Sequence, residues 1–207
     1  KNRYCAITFD DGFESFYHLV LPILIKHKIP ATVFINQALI KLPTSRKEKL
    51  DHYISNKFPR VSKKYDIFHF MSLEQIAQLP INNIEIGGHT LSHPNLGDDQ
   101  LGDMTQEITS QIDFFKQNFD YDLKTFAYPY GRKRNISSKS IEILKSSKFK
   151  YAFTGISRKL SAFNKSEPLS KYTIPRTAIS EESTGLSFKA RLCGSSDFYD
   201  KKKKQKL

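Results

Sequence analysis

The sequence predicts an α/β fold built around a mostly parallel sheet. Short apolar segments of strand character alternate with amphipathic segments of helical period, which is the pattern of successive βα units. Clusters of polar residues directly follow three of the predicted strands, where α/β folds gather their functional side chains. The 207 residues, of which 39% are hydrophobic, are enough to bury one core. We therefore expect residues 1–207 to form a single domain.

In the first half of the chain, apolar spacing and turn residues define each element in order. Tyr4–Phe9 is an apolar strand, and Phe13–Lys28 carries apolar residues at helical spacing. Ile29–Ile35 is rich in β-branched residues and predicts a second strand. Residues 41–66 are polar, basic and bounded by prolines, which indicates an insertion. Ser72–Leu79 predicts a short helix, because a serine at its start and a glutamine three residues later form a capping box.

The second half continues the alternation. Ile84–Ile86 is a strand that runs into a Gly-Gly turn, and Asp99–Asn118 has one apolar helical face. The strand that begins at Leu123 stops at Pro129. The remaining predicted elements are a helix at Ser138–Ser147, strands at Tyr151–Thr154 and Tyr172–Pro175, and a helix at Ser183–Leu192.

The chain is basic, with a net charge of +12. Five of the positive charges belong to lysines in the last seven residues, and +7 remains without them. Residues 197–207 are predicted to form a disordered basic tail, because runs of like charge are usually solvated. Such a tail can also contact an anionic lipid or glycan surface. No specific nucleic-acid binding is expected, since no Arg-rich reading helix or aromatic platform motif is present.

The sequence of these 207 residues shows neither a disulfide framework nor an apolar run long enough to span a membrane. Cys5 and Cys193 are too few for a disulfide framework, and the absence of a CxxC pair excludes a structural zinc site of that type. Cys5 lies in the first predicted strand, where a buried thiol is expected. No apolar run approaches the ~20 residues of a membrane span, and no secretory signal is visible. The compartment stays open between the cytoplasmic face and the cell envelope.

Asp10 and Asp11 follow the first strand directly, ahead of Gly12. Adjacent carboxylates repel each other, and a metal ion that binds one of them would offset that repulsion. The other aspartate would remain beside the metal as a base. The structural alternative is that the pair caps the following helix, although an N-cap uses only one aspartate.

His89 and His93 follow the Gly-Gly strand in the stretch HTLSH. Two histidines and one carboxylate form a typical catalytic zinc set, because they leave one coordination position open for water. The carboxylate would come from Asp10 or Asp11. The stretch does not fit the zincin helix, since Thr90 stands where that motif has glutamate.

Three stretches together resemble one family, the polysaccharide deacetylases with the NodB-homology domain, also called carbohydrate esterase family four. TFDDG is similar to the first motif of that family, HTLSHP to the second and FAYPYG to the third. The resemblance runs in order and spacing from about Ala6 to Leu192. It implies a distorted (β/α) barrel and metal-dependent removal of an acetyl group from N-acetylhexosamine in a polysaccharide or glycolipid.

The resemblance also implies roles for individual residues. Asp10 would be the general base, and the metal, usually zinc, would be held by Asp11, His89 and His93. The backbone N–H of Tyr130 would stabilise the oxyanion. The chain has AYPY where many members have RPPY, so it looks most like a permuted-type subfamily in which an arginine occurs later in a PR step. We expect Arg176, in Pro175-Arg176, to orient Asp10; the alternative is an ordinary surface arginine.

A second departure from the family pattern concerns the general acid. No histidine follows His93, so the C-terminal LxH motif that usually supplies this acid is absent. His18, His27, His52 and His69 do not lie at predicted strand ends. In the permuted relatives the acidic histidine precedes the first motif, and only nine residues precede Asp10 here. We therefore expect slow amide hydrolysis by these 207 residues, and an upstream histidine in a longer parent protein.

Several functions remain compatible with the sequence. The first is deacetylation of an acetylated glycan or lipid-linked sugar. A related sugar deformylase or an O-acetyl esterase would use the same metal chemistry. A glycan-binding domain that keeps the metal site without turnover is the alternative outside catalysis.

Overall fold

The computed structural model describes residues 5–40, 69–98, 100–157, 170–179 and 185–193. The predicted insertion at 41–66, the predicted basic tail at 197–207 and His52 lie outside the described residues. In the described ranges, none of the helices has the length and apolar character needed to cross a membrane.

Five parallel strands form a curled sheet that holds the carboxyl ends of all strands at one edge. The strands are β1 (Ile7–Phe9), β2 (Ala31–Ile35), β3 (Ile84–Gly88), β4 (Thr125–Ala127) and β5 (Tyr151–Phe153). Their spatial order is the same as their order in the chain, and every neighbouring pair is parallel. This singly wound order is that of a (β/α) barrel, whereas a doubly wound sheet reverses direction part-way. The predicted α/β fold of barrel type is confirmed.

The helices connect these strands and pack apolar side chains against them. A short π-helix at Phe16–Val20 leads into the first α-helix, and 3₁₀ helices lie at Pro80–Asn82 and Lys133–Asn135. The α-helices are α1 (Leu21–His27), α2 (Gln37–Ile40), α3 (Leu73–Ala77), α4 (Met104–Phe119), α5 (Ser138–Ser146) and α6 (Gly185–Cys193). Buried side chains from the sheet and helices form one core that includes Val33, Ile86, Ile108, Phe115 and Phe126.

Several predicted boundaries differ from the structure for local reasons. The predicted first helix is divided into a π-helix and an α-helix. Pro22 has no N–H and would crowd the carbonyl four residues earlier, so the turn before it widens to a π-helix. α4 begins at Met104, five residues later than predicted, because the side chain of Asp103 accepts the N–H of Gln106 and caps the helix there. The capping box of α3 is confirmed, with reciprocal bonds between Ser72 and Gln75.

The predicted strand at Tyr172–Pro175 is reduced to one bridge, in which Ile174 pairs with Phe153 of β5. This short pairing matters because it brings Arg176 between the two edge strands of the sheet, β5 and β1. The expectation of a buried Cys5 was wrong: its thiol is exposed, since regular pairing of β1 begins only at Ile7.

Candidate metal and catalytic site

Three buried side chains converge at the carboxyl edge of the sheet. Asp11 follows β1, while His89 and His93 lie in the loop after β3. The Oδ1 atom of Asp11 lies 3.4 Å from Nε2 of His89 and 3.5 Å from Nε2 of His93. Two ligands at about 2.1 Å from a tetrahedral ion are about 3.4 Å apart, so these atoms have the spacing of a metal-ligand set. They form a group that could hold a divalent ion.

The ring of His89 is oriented by the neighbouring strand. Its Nδ1 lies 2.8 Å from the carbonyl oxygen of Ala127, at the end of β4. When Nδ1–H donates to this carbonyl, Nε2 carries the lone pair that a metal needs. The backbone N–H of His89 donates to Gln111 Oε1 at 2.9 Å, from the fully buried side chain of Gln111 on α4. A Cβ atom at Gly88 would lie 2.6 Å from that oxygen, so glycine permits the contact.

The loop between the two histidines is held by buried polar side chains. The hydroxyl of Thr90 donates to the carbonyl of His89 and accepts the N–H of His93 at 2.9 Å. The amide of Asn36, which is fully buried, is satisfied when its nitrogen donates to Leu91 O at 3.0 Å and its oxygen accepts the His93 N–H at 2.9 Å. Because these backbone groups have fixed partners, the backbone that carries the second histidine is held in place.

Backbone strain is concentrated at this site. The described non-glycine residues with positive φ fall into two groups. Three of them, Lys28, Asn83 and Asp120, follow the last turn of a helix, where this conformation is ordinary. The other four, with φ between 60° and 76°, lie at the metal-ligand set: Asp11 and His93 belong to it, and Thr90 and Tyr130 adjoin it. Such strain persists where the surrounding contacts over-determine it, which is typical of functional sites.

Asp10 does not join the metal-ligand set and instead pairs with Arg176. The guanidinium makes two parallel contacts with the carboxylate, Nη1 to Oδ1 at 2.7 Å and Nη2 to Oδ2 at 2.9 Å. Burial alone would raise the pKa of Asp10, but the charge and hydrogen bonds of Arg176, together with the nearby His89, outweigh burial and hold the pKa below its usual range. The side chain of Asp10 remains 35% exposed, so the ionised carboxylate is accessible from the mouth of the site.

Arg176 is itself fixed by three different parts of the sheet. Its Nη1 donates to the hydroxyl of Thr8 on β1 at 3.0 Å, and its Nε donates to the carbonyl of Thr154 after β5 at 3.2 Å. The guanidinium also lies over the ring of Phe34 on β2, 5.1 Å from its centroid. The arginine therefore has little freedom to turn away from Asp10.

The third polar cluster, after β4, places a strained residue beside the histidines. The N–H of Gly131 donates to Pro129 O at 2.7 Å, which closes a tight turn around Tyr130. The ring of Tyr130 meets the ring of His93 edge-on, with centroids 4.8 Å apart. In the described part of the chain, the backbone N–H of Tyr130 donates to no protein acceptor. Burial and the nearby Asp11 raise the pKa of the Tyr130 phenol, so its hydroxyl is protonated at neutral pH.

The polysaccharide deacetylase family model matches residues 1–152, more than half of the chain. The chain belongs to the polysaccharide deacetylase family. Poly-beta-1,6-N-acetyl-D-glucosamine N-deacetylase from Staphylococcus aureus (strain MSSA476) is 28% identical over 186 residues, which cover 87% of this chain and 56% of that protein. The chain thus spans about half the length of the curated relatives it matches.

Solved structures of this deacetylase family share the fold. Streptococcus pyogenes deacetylase PplD, in complex with acetate, superposes with a TM-score of 0.66 at 18% identity, covering 90% of this chain and 69% of that one. IcaB from Ammonifex degensii gives a TM-score of 0.58 at 24% identity, with coverages of 86% and 68%. The curled parallel sheet of this chain is therefore shared with these two structures.

The histidines outside the metal-ligand set are spread over the deacetylase fold. His18 is exposed and lies 3.4 Å from Glu14, and His27 ends α1, toward the opposite edge of the sheet. His69 lies nearer the first motif than the sequence suggests, because Phe13 and Phe70 pair as an antiparallel bridge and Glu14 N–H donates to His69 O at 2.7 Å. In the described ranges, the candidate metal group consists of Asp11, His89 and His93 alone.

Sequence reasoning missed the residues that support the site. Asn36 and Gln111 carried a signal: Asn36 is a polar residue at the end of an apolar strand, and Gln111 lies on the apolar face of α4. Buried polar residues of this kind need partners and so mark a network. Thr8 and Phe34 carried no such signal, since a threonine and a phenylalanine in strands are expected for packing alone.

Gly131→Ala is expected to destabilise the fold by about 2–4 kcal/mol. Gly131 has φ of 59°, and a Cβ there would collide with the backbone nitrogen of Gly155. Chemical denaturation measures the change. Gly102→Ala is the matched control, since a Cβ at Gly102 meets no atom within 4 Å. Equal stability of the two variants would contradict the close packing of this turn.

Proposed function

We propose that this chain is a metal-dependent hydrolase that removes the acetyl group from N-acetylhexosamine in a polysaccharide or glycolipid. The observation that carries the proposal is the juxtaposition of a two-histidine, one-aspartate group with a second aspartate that an arginine holds ionised. The name of the Staphylococcus aureus relative, a poly-beta-1,6-N-acetyl-D-glucosamine N-deacetylase, supports an acetylated hexosamine polymer as the substrate class.

The donor set fits zinc. Two imidazole nitrogens and one carboxylate oxygen, buried and with tetrahedral spacing, are its usual ligands in hydrolases. Asp11, His89 and His93 would hold the ion. When bound, it would lower the pKa of water and polarise the acyl oxygen.

The other residues of the site would divide the remaining tasks. Asp10 would accept the proton of the attacking water, because its carboxylate is ionised, accessible and outside the ligand set. Arg176 would keep both carboxylate oxygens in place. The Tyr130 N–H would stabilise the negative charge that develops on the acyl oxygen, since the strained turn leaves this donor without a protein acceptor in the described residues.

An O-acetyl esterase is the second candidate, favoured by the placement of the histidines. His18, His27 and His69 are not part of the candidate metal group in the described residues, and we expect none of them to act as the proton donor to a leaving amine. An alkoxide leaves more easily than an amide anion and depends less on such a donor. We therefore expect esters to be hydrolysed faster than amides by these 207 residues.

Acetate release from a panel of N-acetylated and O-acetylated oligosaccharides tests both candidates. The panel also includes an N-formylated sugar, for which formate release is measured, and each reaction is run with and without added zinc. Zinc-dependent acetate release that Asp10→Asn eliminates would support the proposal. Tight binding of the same oligosaccharides without any release would favour a glycan-binding domain instead.

Arg176→Met is expected to lower kcat/KM at least about tenfold and to move the acid limb of the pH profile to higher pH. The shift follows because burial still raises the pKa of Asp10, while the lowering by the guanidinium is lost. Arg176→Lys separates charge from geometry, since lysine keeps the positive charge without the two-pronged contact. An acid limb unchanged in Arg176→Met would show that Asp10 does not determine it.

A further inference from the structure

Three consecutive cations follow the candidate oxyanion residue. Arg132, Lys133 and Arg134 begin two positions after Tyr130, and all three side chains are exposed. Because two residues span at most ~7 Å, the Cα of Arg132 lies within that distance of the Cα of Tyr130. The Debye length near physiological salt is about 8–10 Å, so an anion bound beside Tyr130 on the side of this segment would interact with its charges. We call residues Arg132–Arg134 the basic segment.

The backbone of the basic segment is held between the second and third motifs. On one side it continues from Gly131, whose carbonyl accepts the N–H of Gly155 at 2.8 Å. On the other side it packs on the loop that follows His93. There the Asn135 side chain donates to Asn95 Oδ1 at 3.0 Å, and a Cβ at Gly97 would collide with the Arg134 carbonyl. The segment is thus a fixed part of the rim of the site.

The charges of the basic segment are not used inside the protein. In the part of the chain that the structure describes, no ion pair or side-chain hydrogen bond involves these three side chains. Two acidic residues, Asp98 and Asp99, follow Gly97 in the sequence, and the carboxylate of Asp98 accepts the N–H of Gln100 at 2.9 Å. Three cations exceed these two acidic residues, so an excess of positive charge remains beside the site.

We infer that the basic segment selects an anionic acetylated glycan, one that carries a phosphate or a carboxylate close to the N-acetylated sugar. The inference rests on the proposed function and deepens it. Arg and Lys side chains without internal partners are suited to bind either anion. The same charges act against the product, because removal of the acetyl group leaves an amine that is protonated near neutral pH. Sites next to an already deacetylated sugar are therefore poorer substrates.

The test uses N-acetylglucosamine oligosaccharides of equal length in three forms: neutral, with a phosphate monoester, and with a carboxylate at the same position. The variant combines Arg132→Gln, Lys133→Gln and Arg134→Gln. The control combines Lys26→Gln, Lys124→Gln and Lys150→Gln. It removes the same charge from exposed lysines that lie just ahead of β2, β4 and β5, toward the opposite edge of the sheet.

For an anionic form, the basic-segment variant is expected to raise KM about tenfold at low salt with little change in kcat. For the neutral form, KM is expected to stay within about twofold. If the wild-type protein prefers one of the two anionic forms and this variant loses that preference, the result supports the inference and identifies the anion. Equal KM values for neutral and anionic forms, or the same loss in the control, overturn it.

Direct binding of the labelled oligosaccharides, measured by fluorescence anisotropy, separates this inference from the proposed function. Charge-selective binding without acetate release contradicts the proposed function and supports the inference. Acetate release with no charge selectivity in binding or KM supports the proposed function and overturns the inference.

Discussion

The double variant His89→Ala, His93→Ala is expected to bind no stoichiometric zinc and to show no zinc-dependent hydrolysis. Two of the three converging donor atoms are lost, and Asp11 alone is too weak a ligand to retain the ion. Elemental analysis after dialysis against micromolar zinc measures the metal, and circular dichroism checks the fold.

The matched control for this variant is His18→Ala, His27→Ala. Both of these histidines are exposed and lie outside the candidate metal group. The control is expected to retain one zinc per chain. One zinc retained by the His89, His93 variant would place the metal elsewhere.

Asp10→Asn is expected to keep the metal and to lose turnover by about 10²–10⁴-fold, the usual contribution of a general base. Asp11→Asn is expected to lose the metal as well as turnover. The difference arises because Asp11 lies 3.4 and 3.5 Å from the two imidazole nitrogens, whereas both oxygens of Asp10 are engaged by Arg176. Adjacent aspartates thus provide a comparison in which the side chain changes identically and the expected outcome differs.

Zinc stoichiometry and kcat, measured on the same preparations, decide this prediction. Wild-type kcat in Asp10→Asn would exclude Asp10 as the base. Full metal content in Asp11→Asn would show that the carboxylate is dispensable for binding.

The sequence predicted those parts of this site whose residues lie close together in the chain. Asp10 and Asp11 are adjacent, and His89 and His93 are four residues apart. Each pair follows a strand whose apolar pattern is clear, and the convergence of strand ends then follows from a parallel sheet. The fold class could be predicted for the same reason. Each strand-like or helix-like segment is recognised from its own apolar pattern, and the alternation of the two kinds of segment indicates a parallel α/β sheet.

The supporting contacts could not be predicted, because they depend on the register between distant segments. Gln111 reaches His89 only through the packing of α4 on the sheet, and Thr8 meets Arg176 only after the sheet has curled. The placement of Arg176 beside Asp10 was expected from the resemblance to a family pattern, not from local chemistry. Boundaries failed where a single side chain decided them, as Pro22 and Asp103 did.

Arg176 also has a consequence for the order in which the molecule assembles. It contacts Thr8 and Asp10 across 168 and 166 positions of sequence, whereas the metal ligands are complete at His93. Closing a loop of that length costs about 4–5 kcal/mol of chain entropy, and contacts of such high contact order form late in folding. A chain emerging from the ribosome therefore contains its three candidate metal ligands well before Arg176, the partner of the candidate base Asp10, has been synthesised. The proposed pairing of Asp10 with Arg176 would then be completed late in folding, when the segment around Ile174 docks on β5.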